Sequence, residues 1–133
     1  MGINELIDNF EYLDTWEDKY RYIIDLGEKL SPLSEEMHTE EWKVKGCQSQ
    51  VWLVPHKTSE NLVFFEGDSD AMIVKGLIAI VLTIYNNKTT DEIKQTEITD
   101  IFKQIGLEEH LSPSRRNGLE AMVAKIKHYA AIL

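Results

Sequence analysis

Lys45-Gly46-Cys47-Gln48-Ser49-Gln50-Val51-Trp52-Leu53 is the stretch on which the reading of this chain turns. It holds the only cysteine in 133 residues, directly after a glycine and directly before three uncharged polar residues. A β-prone run, Val51-Trp52-Leu53-Val54, follows at once. The pattern predicts a short tight loop between an extended lead-in and a strand, with the sulfur on the loop. Gly46 carries no Cβ, so it can adopt an unusual backbone angle and let another segment approach closely. Free cysteine is most often a small inert hydrophobe of the core, but a core cysteine would sit inside an apolar periodic run. Loops on a rigid scaffold are where reactive groups are displayed. Were the lead-in extended, Lys43, Lys45 and Cys47 would share one face, because strand side chains alternate. Nearby ammonium groups would then favour the nucleophilic thiolate.

Working outward, residues 42–45 read as an extended lead-in, 50–56 as a strand and 62–66 as another. The polar residues 56–61 between them suit a hairpin connection, and strands so close in sequence pair antiparallel. Pro55 marks an edge or a strand end. Gly67-Asp68-Ser69-Asp70 is expected to break the sheet and to start the most apolar helix, 71–85, with Ser69 or Asp68 as its N-cap. That helix is apolar on nearly every face, as in a helix buried between layers. Gly76 within it suggests close packing against the sheet.

Upstream, Ile3, Leu6, Ile7 and Phe10 follow helical spacing. Asp14 caps an expected second helix carrying Trp16, Tyr20, Ile23 and Ile24, with Glu17 three residues on, and the helix is expected to stop near Gly27. Residues 31–41 read as an acidic surface loop, or as a docking segment for a basic partner. Downstream, Thr89 and Glu92 form a capping box. Ile98, Ile101, Phe102 and Ile105 give a short helix ended by Gly106. Ser112-Pro113 opens a final helix striped by Leu119, Met122, Val123, Ile126 and Tyr129. Arg115 and Arg116 lie in its first turn, where the dipole disfavours cations. They could meet Asp68 and Asp70.

The length fits a single domain, residues 1–133, able to build a core unaided. A net charge of −9 argues against nucleic-acid or anionic-membrane partners. One cysteine forms no internal disulfide. The N-terminus lacks the pattern of a signal peptide, and residues 77–82, the most apolar run, are too few to span a bilayer. A cytoplasmic protein is the expectation. His38, His56, His110 and His128 show no zinc spacing, and there is no GxGxxG or Walker loop. A Cys47 pair with His38 or His56 could form only through folding. Asp68 and Asp70 suit a helix start as well as an acid/base pair. A sulfur without evident base or cofactor suits group transfer between thiols better than hydrolysis.

At this point the residues resemble the SufE family of sulfur acceptors. Gly46-Cys47-Gln48-Ser49-Gln50-Val51-Trp52 is similar to the family's signature. Three further blocks agree in order: Trp16-Glu17-Asp18-Lys19-Tyr20 through Gly27, Gly67-Asp68-Ser69-Asp70-Ala71 through Ala79, and Leu111-Ser112-Pro113-Ser114-Arg115 through Met122. The resemblance implies an α+β fold shared with IscU-type scaffolds: a small three-stranded antiparallel sheet packed against helices. It implies that a PLP-dependent SufS/CsdA-type cysteine desulfurase passes persulfide sulfur to Cys47. An iron–sulfur scaffold complex would be the downstream acceptor. The chain itself would carry no cofactor, PLP belonging to the desulfurase, and no metal. Gly46, Gln48 and Ser49 would shape the loop, while Asp70 and Arg115 would hold it or meet the partner. Three other readings compete: a cluster scaffold, which wants about four ligands; a non-catalytic adapter that stimulates the desulfurase by binding; and a thiol peroxidase.

Overall fold

The computed structural model describes residues 2–133. Met1, the first residue of the N-terminal stretch read above, lies outside them. Helix α1 (Ile3–Tyr12) forms on the predicted spacing and buries Leu6, Ile7 and Phe10. Helix α2 (Trp16–Glu28) follows, but its cap is Thr15, whose hydroxyl accepts the Asp18 N–H at 3.1 Å. The capping oxygen must reach the N–H two or three places inside the helix, and Asp14 stands one residue too early. α2 ends at Glu28, one residue past Gly27, near which the stop was expected.

Strands β1 (Val51–Lys57) and β2 (Val63–Ser69) pair antiparallel, Val51 opposite Ser69 and Lys57 opposite Val63. The architecture is α+β, but the sheet has two strands rather than the expected three. Residues 42–45 supply only a bridge between Lys43 and Trp52, with Val44 N–H donating to Val51 O at 2.8 Å and Leu53 N–H to Trp42 O at 2.9 Å. Tight turns cut the lead-in short: Trp42 N–H bonds to Thr39 O at 3.2 Å on one side, and Gly46, at φ +95°, reverses the chain on the other. Along this outer edge of β1, Pro55 has no N–H to offer. The outer edge of β2 meets no third strand either. Val63 exchanges hydrogen bonds with Lys88 O and Asn87 N–H, both at 2.8 Å, and the Asn86 side chain bonds Phe65 N–H and O at 2.8 and 3.4 Å.

β2 runs through Gly67 and Asp68 to Ser69, beyond the expected break at Gly67, and helix α3 (Met72–Tyr85) starts after Ala71. Neither Ser69 nor Asp68, the two expected caps, caps it: Ser69 Oγ accepts the Ala71 N–H at 3.2 Å and Asp68 Oδ1 the Ser69 N–H at 2.8 Å, both ahead of the helix. α3 is the centre of the core: Leu77, Ile78, Ile80, Val81 and Ile84 are at most 1% exposed. Each such side chain contributes about 1.5–3 kcal/mol by leaving water. Helices α4 (Thr90–Gln95), α5 (Ile98–Ile105) and α6 (Pro113–Ile132) complete the set. The Thr89–Glu92 capping box is formed, Gly106 ends α5 at φ +78°, and Ser112 caps α6 by accepting the Arg115 N–H. No described helix is long and apolar enough to cross a membrane.

Gly76 serves a helix, not the sheet. A Cβ there would collide with the Ile23 carbonyl of α2, and one on Gly27 would stand 2.6 Å from Gly76 N. Overpacking at such a contact costs about 1–3 kcal/mol or more. Gly76→Ala is therefore expected to lower the unfolding free energy by about 3 kcal/mol, read as a fall in the urea midpoint. Gly2→Ala, which meets nothing within 4 Å, is the steric control, its own change limited to the N-cap preference of α1, about 0.5–1 kcal/mol. An unshifted midpoint for Gly76→Ala would mean that the helices do not meet this closely.

Candidate functional site

The cysteine loop spans residues 45–50, between the Gly46 turn and the start of β1. Its exit is held by Asp70: the carboxylate Oδ1 accepts the Gln50 N–H at 3.0 Å, and the Asp70 N–H donates to Gln50 O at 3.4 Å. At its entrance Gly46 lies close over α6, where a Cβ would be 3.5 Å from the Ala121 methyl. The loop folds the sulfur inward. Cys47 is half-buried, and its Sγ–H donates to the Gly118 carbonyl of α6 at 3.5 Å. A Cβ at Gly118 would stand 3.5 Å from Sγ, an ordinary van der Waals distance, so the thiol packs directly on this stretch of α6.

Beneath the thiol is a cavity of about 250 Å³. Ile73, Val74 and Leu77 of α3 and Met122 of α6 give it apolar walls, while Gln48, Ser49, Ser112, Ser114 and Arg115 line its polar side. Gln48 and Arg115 are exposed, Ser49 is half-buried, and Asp70 is exposed at the loop base. The structure thus gathers Gly46, Gln48, Ser49 and Arg115 around Cys47 and sets Asp70 at the loop's exit. Among the described residues, neither Arg115 nor Arg116 forms an ion pair with Asp68 or Asp70. Arg116 Nε donates to Leu111 O at 3.4 Å instead.

One chemical expectation is corrected and two open alternatives are closed. The lysines do not activate the thiol: Lys43 pairs with Glu40 at 3.7 Å, and Lys45 lies exposed in the turn, where the strand alternation has ended. Burial instead pushes the Cys47 pKa up, because the charged thiolate loses water. No Cys–His pair forms either, since His38 Nε2 faces Asp68 Oδ2 at 2.7 Å and His56 Nε2 faces Glu66 Oε1 at 2.6 Å. Asp68 and Asp70 are not an acid/base couple; the first is taken by His38 and Lys75, the second by Gln50. Among the described residues, no group of three or more His, Cys, Asp or Glu side chains is placed to hold a metal ion. Gly118 was missed as a site residue, because what it offers the thiol is a main-chain carbonyl, which leaves no mark in the side-chain sequence.

A small α+β protein that presents one thiol on a short hinged loop over an apolar cavity is a thiol-bearing loop protein by architecture. Comparison with known proteins names the family. The model of the SufE family, described as an Fe–S metabolism associated domain, matches residues 4–130. The chain is 51% identical to a SufE-like protein of Rhizobium meliloti (strain 1021), over 97% of this chain and 94% of that one. It is likewise 51% identical to a SufE-like protein of Rhizobium etli, over 98% of this chain and 90% of the relative. The solution structure of a hypothetical protein from Thermus thermophilus shares the fold, with TM-score 0.77 over 97% of this chain and 93% of that chain at 18% identity. The chain belongs to the SufE family, and its domain is one associated with Fe–S metabolism.

The raised thiol pKa has a sign that can be measured. The folded protein holds the Cys47 proton more tightly than the unfolded chain, so this group stabilises the fold below the unfolded pKa. The contribution is lost as pH rises through the folded value. Relative to Cys47→Ala, the wild-type protein is expected to lose stability in alkaline solution. Iodoacetamide should also modify Cys47 with a pH midpoint above that of free cysteine. A midpoint at or below the free value would contradict the buried seat.

Proposed function

We propose that this protein is a sulfur acceptor, taking a sulfur atom from the persulfide of a PLP-dependent cysteine desulfurase onto Cys47 and passing it to the iron–sulfur assembly machinery. The observation that carries this reading is the seat of the thiol: the chain's sole cysteine stands on a glycine-hinged loop over a cavity with room beside Sγ. Family membership agrees with it. A thiol buried this way is protonated and slow at neutral pH, which protects it from bystander oxidants. It becomes a nucleophile when the loop swings outward and the sulfur regains water.

In the transfer, the Cys47 thiolate attacks the terminal sulfur of the donor persulfide. A new S–S bond forms at Cys47, the donor's S–S bond breaks, and the donor cysteine leaves as its thiolate. The proton given up by Cys47 goes to that leaving thiolate, directly or through water. No net oxidation occurs, because the sulfane sulfur keeps its state and changes only its neighbour. Asp70 acts from the loop base through the Gln50 main chain, so that the loop moves about a fixed exit. Gly46 supplies the hinge, Gln48 and Ser49 present main-chain and side-chain polar groups to the incoming donor, and Arg115 faces the developing negative charge at the cavity mouth.

Incubation with a cysteine desulfurase and free cysteine is expected to add the mass of one sulfur atom to the tryptic peptide containing Cys47, and a thiol reductant should remove it. Cys47→Ser should abolish both this adduct and the stimulation of desulfurase turnover. Full stimulation by Cys47→Ser would make the protein a docking adapter instead.

A further inference from the structure

Strand alternation sends Trp52, Val54 and Asp68 to the face of the sheet opposite the core. Val54 is nonetheless only 3% exposed, and Leu33, far from it in sequence, only 6%. Among the described residues these are the two apolar side chains that are buried yet stand outside the main core cluster. Their burial has a common cause if the segment around Leu33 lies over Val54. The end of that segment is fixed in just this way: His38 Nε2 meets Asp68 Oδ2 at 2.7 Å, and the His38 ring stands edge-on to Trp52 with 4.6 Å between centroids. Near the segment's start, Ser31 and Pro32 line a cavity together with Asp68 and Lys75. Residues 31–38 therefore form a strap across the outer face of the hairpin.

The strap runs directly into the cysteine loop. From His38 the chain makes a tight turn, Trp42 N–H to Thr39 O at 3.2 Å and Lys43 N–H to Glu40 O at 3.4 Å. It then makes the two main-chain bonds that join Trp42 and Val44 to β1, and it reaches the Gly46 hinge. The loop's exit is continuous with β1 and is clamped by Asp70. Its entrance is held by those two edge bonds, by the buried side chain of Val44 and by whatever holds His38. Asp68 is also built to let go. Its Oδ1 accepts the Ser69 N–H at 2.8 Å and lies 3.5 Å from Lys75 Nζ, so the carboxylate keeps partners when His38 departs. A contact whose release orphans no charge opens more readily than one that does.

We propose that the His38–Asp68 contact is a latch: it holds the strap on the sheet and keeps the entrance of the cysteine loop paired to β1, and its release lets Cys47 leave the cavity. The proposal concerns access to the thiol and holds whatever the thiol carries, so a small thiol reagent tests it independently of sulfur transfer.

The rate at which Ellman's reagent modifies Cys47 is compared in the wild type, His38→Ala, His38→Gln and His56→Ala, with the urea midpoint of each measured in parallel. His56 forms the matched pair with Glu66 on the same face, without a link to the loop. Loss of the latch hydrogen bond should speed modification by His38→Ala about fivefold or more. His56→Ala should stay at the wild-type rate, and His38→Gln, which can still donate to Asp68, should return most of the way. Hydrogen exchange should quicken in His38→Ala at the Val44 and Leu53 amides and remain slow in the β1–β2 ladder. The latch is overturned if His38→Ala reacts at the wild-type rate, or if His56→Ala accelerates equally. Should His38→Ala fail to fold, exchange at Val44 and Leu53 in His38→Leu, which keeps an apolar side chain against Trp52 but cannot donate to Asp68, decides: quickening at these two amides alone supports the latch, and exchange unchanged from the wild type overturns it.

Discussion

Two helix backbones meet closely where Gly27 and Gly76 let α2 and α3 pack with no side chain of their own between them. Much else is positioned by that contact. α3 has a second glycine gap on its sheet side, where a Cβ on Gly67 would stand 2.8 Å from the Ile78 side chain. Held closely from both directions, α3 can shift little, and its first turns supply Ile73, Val74 and Leu77 to the cavity under the thiol. A methyl group at position 76 would thus be felt at Cys47 without touching it. Interiors packed at crystal-like density transmit displacement in this way.

The seat of Cys47 combines two opposed demands. A nucleophilic sulfur wants water and charge stabilisation, whereas a sulfur that must survive between partners benefits from exclusion. The fold meets them with position rather than with a resident base. At rest the thiol is desolvated and points its proton at a helix carbonyl in a weak S–H···O contact, and its pKa is raised. No histidine is kept beside it, since His38 and His56 are each taken by a carboxylate. In the proposed transfer, reactivity is then governed by where the loop stands.

Local signals made much of this legible. The Thr89 capping box, the Ser112-Pro113 start, the hairpin and the buried character of α3 are short-range or periodic features, and the residues announce them directly. The failures are long-range. Nothing near Gly76 tells whether its partner is a helix or a sheet, because Ile23 lies far back in the chain. The β-prone lead-in suggests a third strand, but turns on both sides of it leave room for two hydrogen bonds only. Alternation assigns the lysines to the thiol, and the positive φ of Gly46 ends that alternation before Cys47. The resemblance to the SufE family singles out Cys47, Asp70 and Arg115, whereas the His38–Asp68 contact gives no sign, its partners being separated by the whole cysteine loop and both strands.

A hairpin of two strands is marginal by itself in water and offers two open rims. Here neither rim is open along its length. On one side the short bonds from Trp42 and Val44 and the imide nitrogen of Pro55 leave little for another strand to read. On the other, Asn86 answers Phe65 with its side-chain amide as a neighbouring main chain would, and Lys88 occupies Val63. An unpaired strand rim is a template for intermolecular polymerisation. By stoppering both rims with single residues, the chain keeps a minimal sheet from recruiting copies of itself, and the proposed opening of its loop would not turn the hairpin behind it into a seed for aggregation.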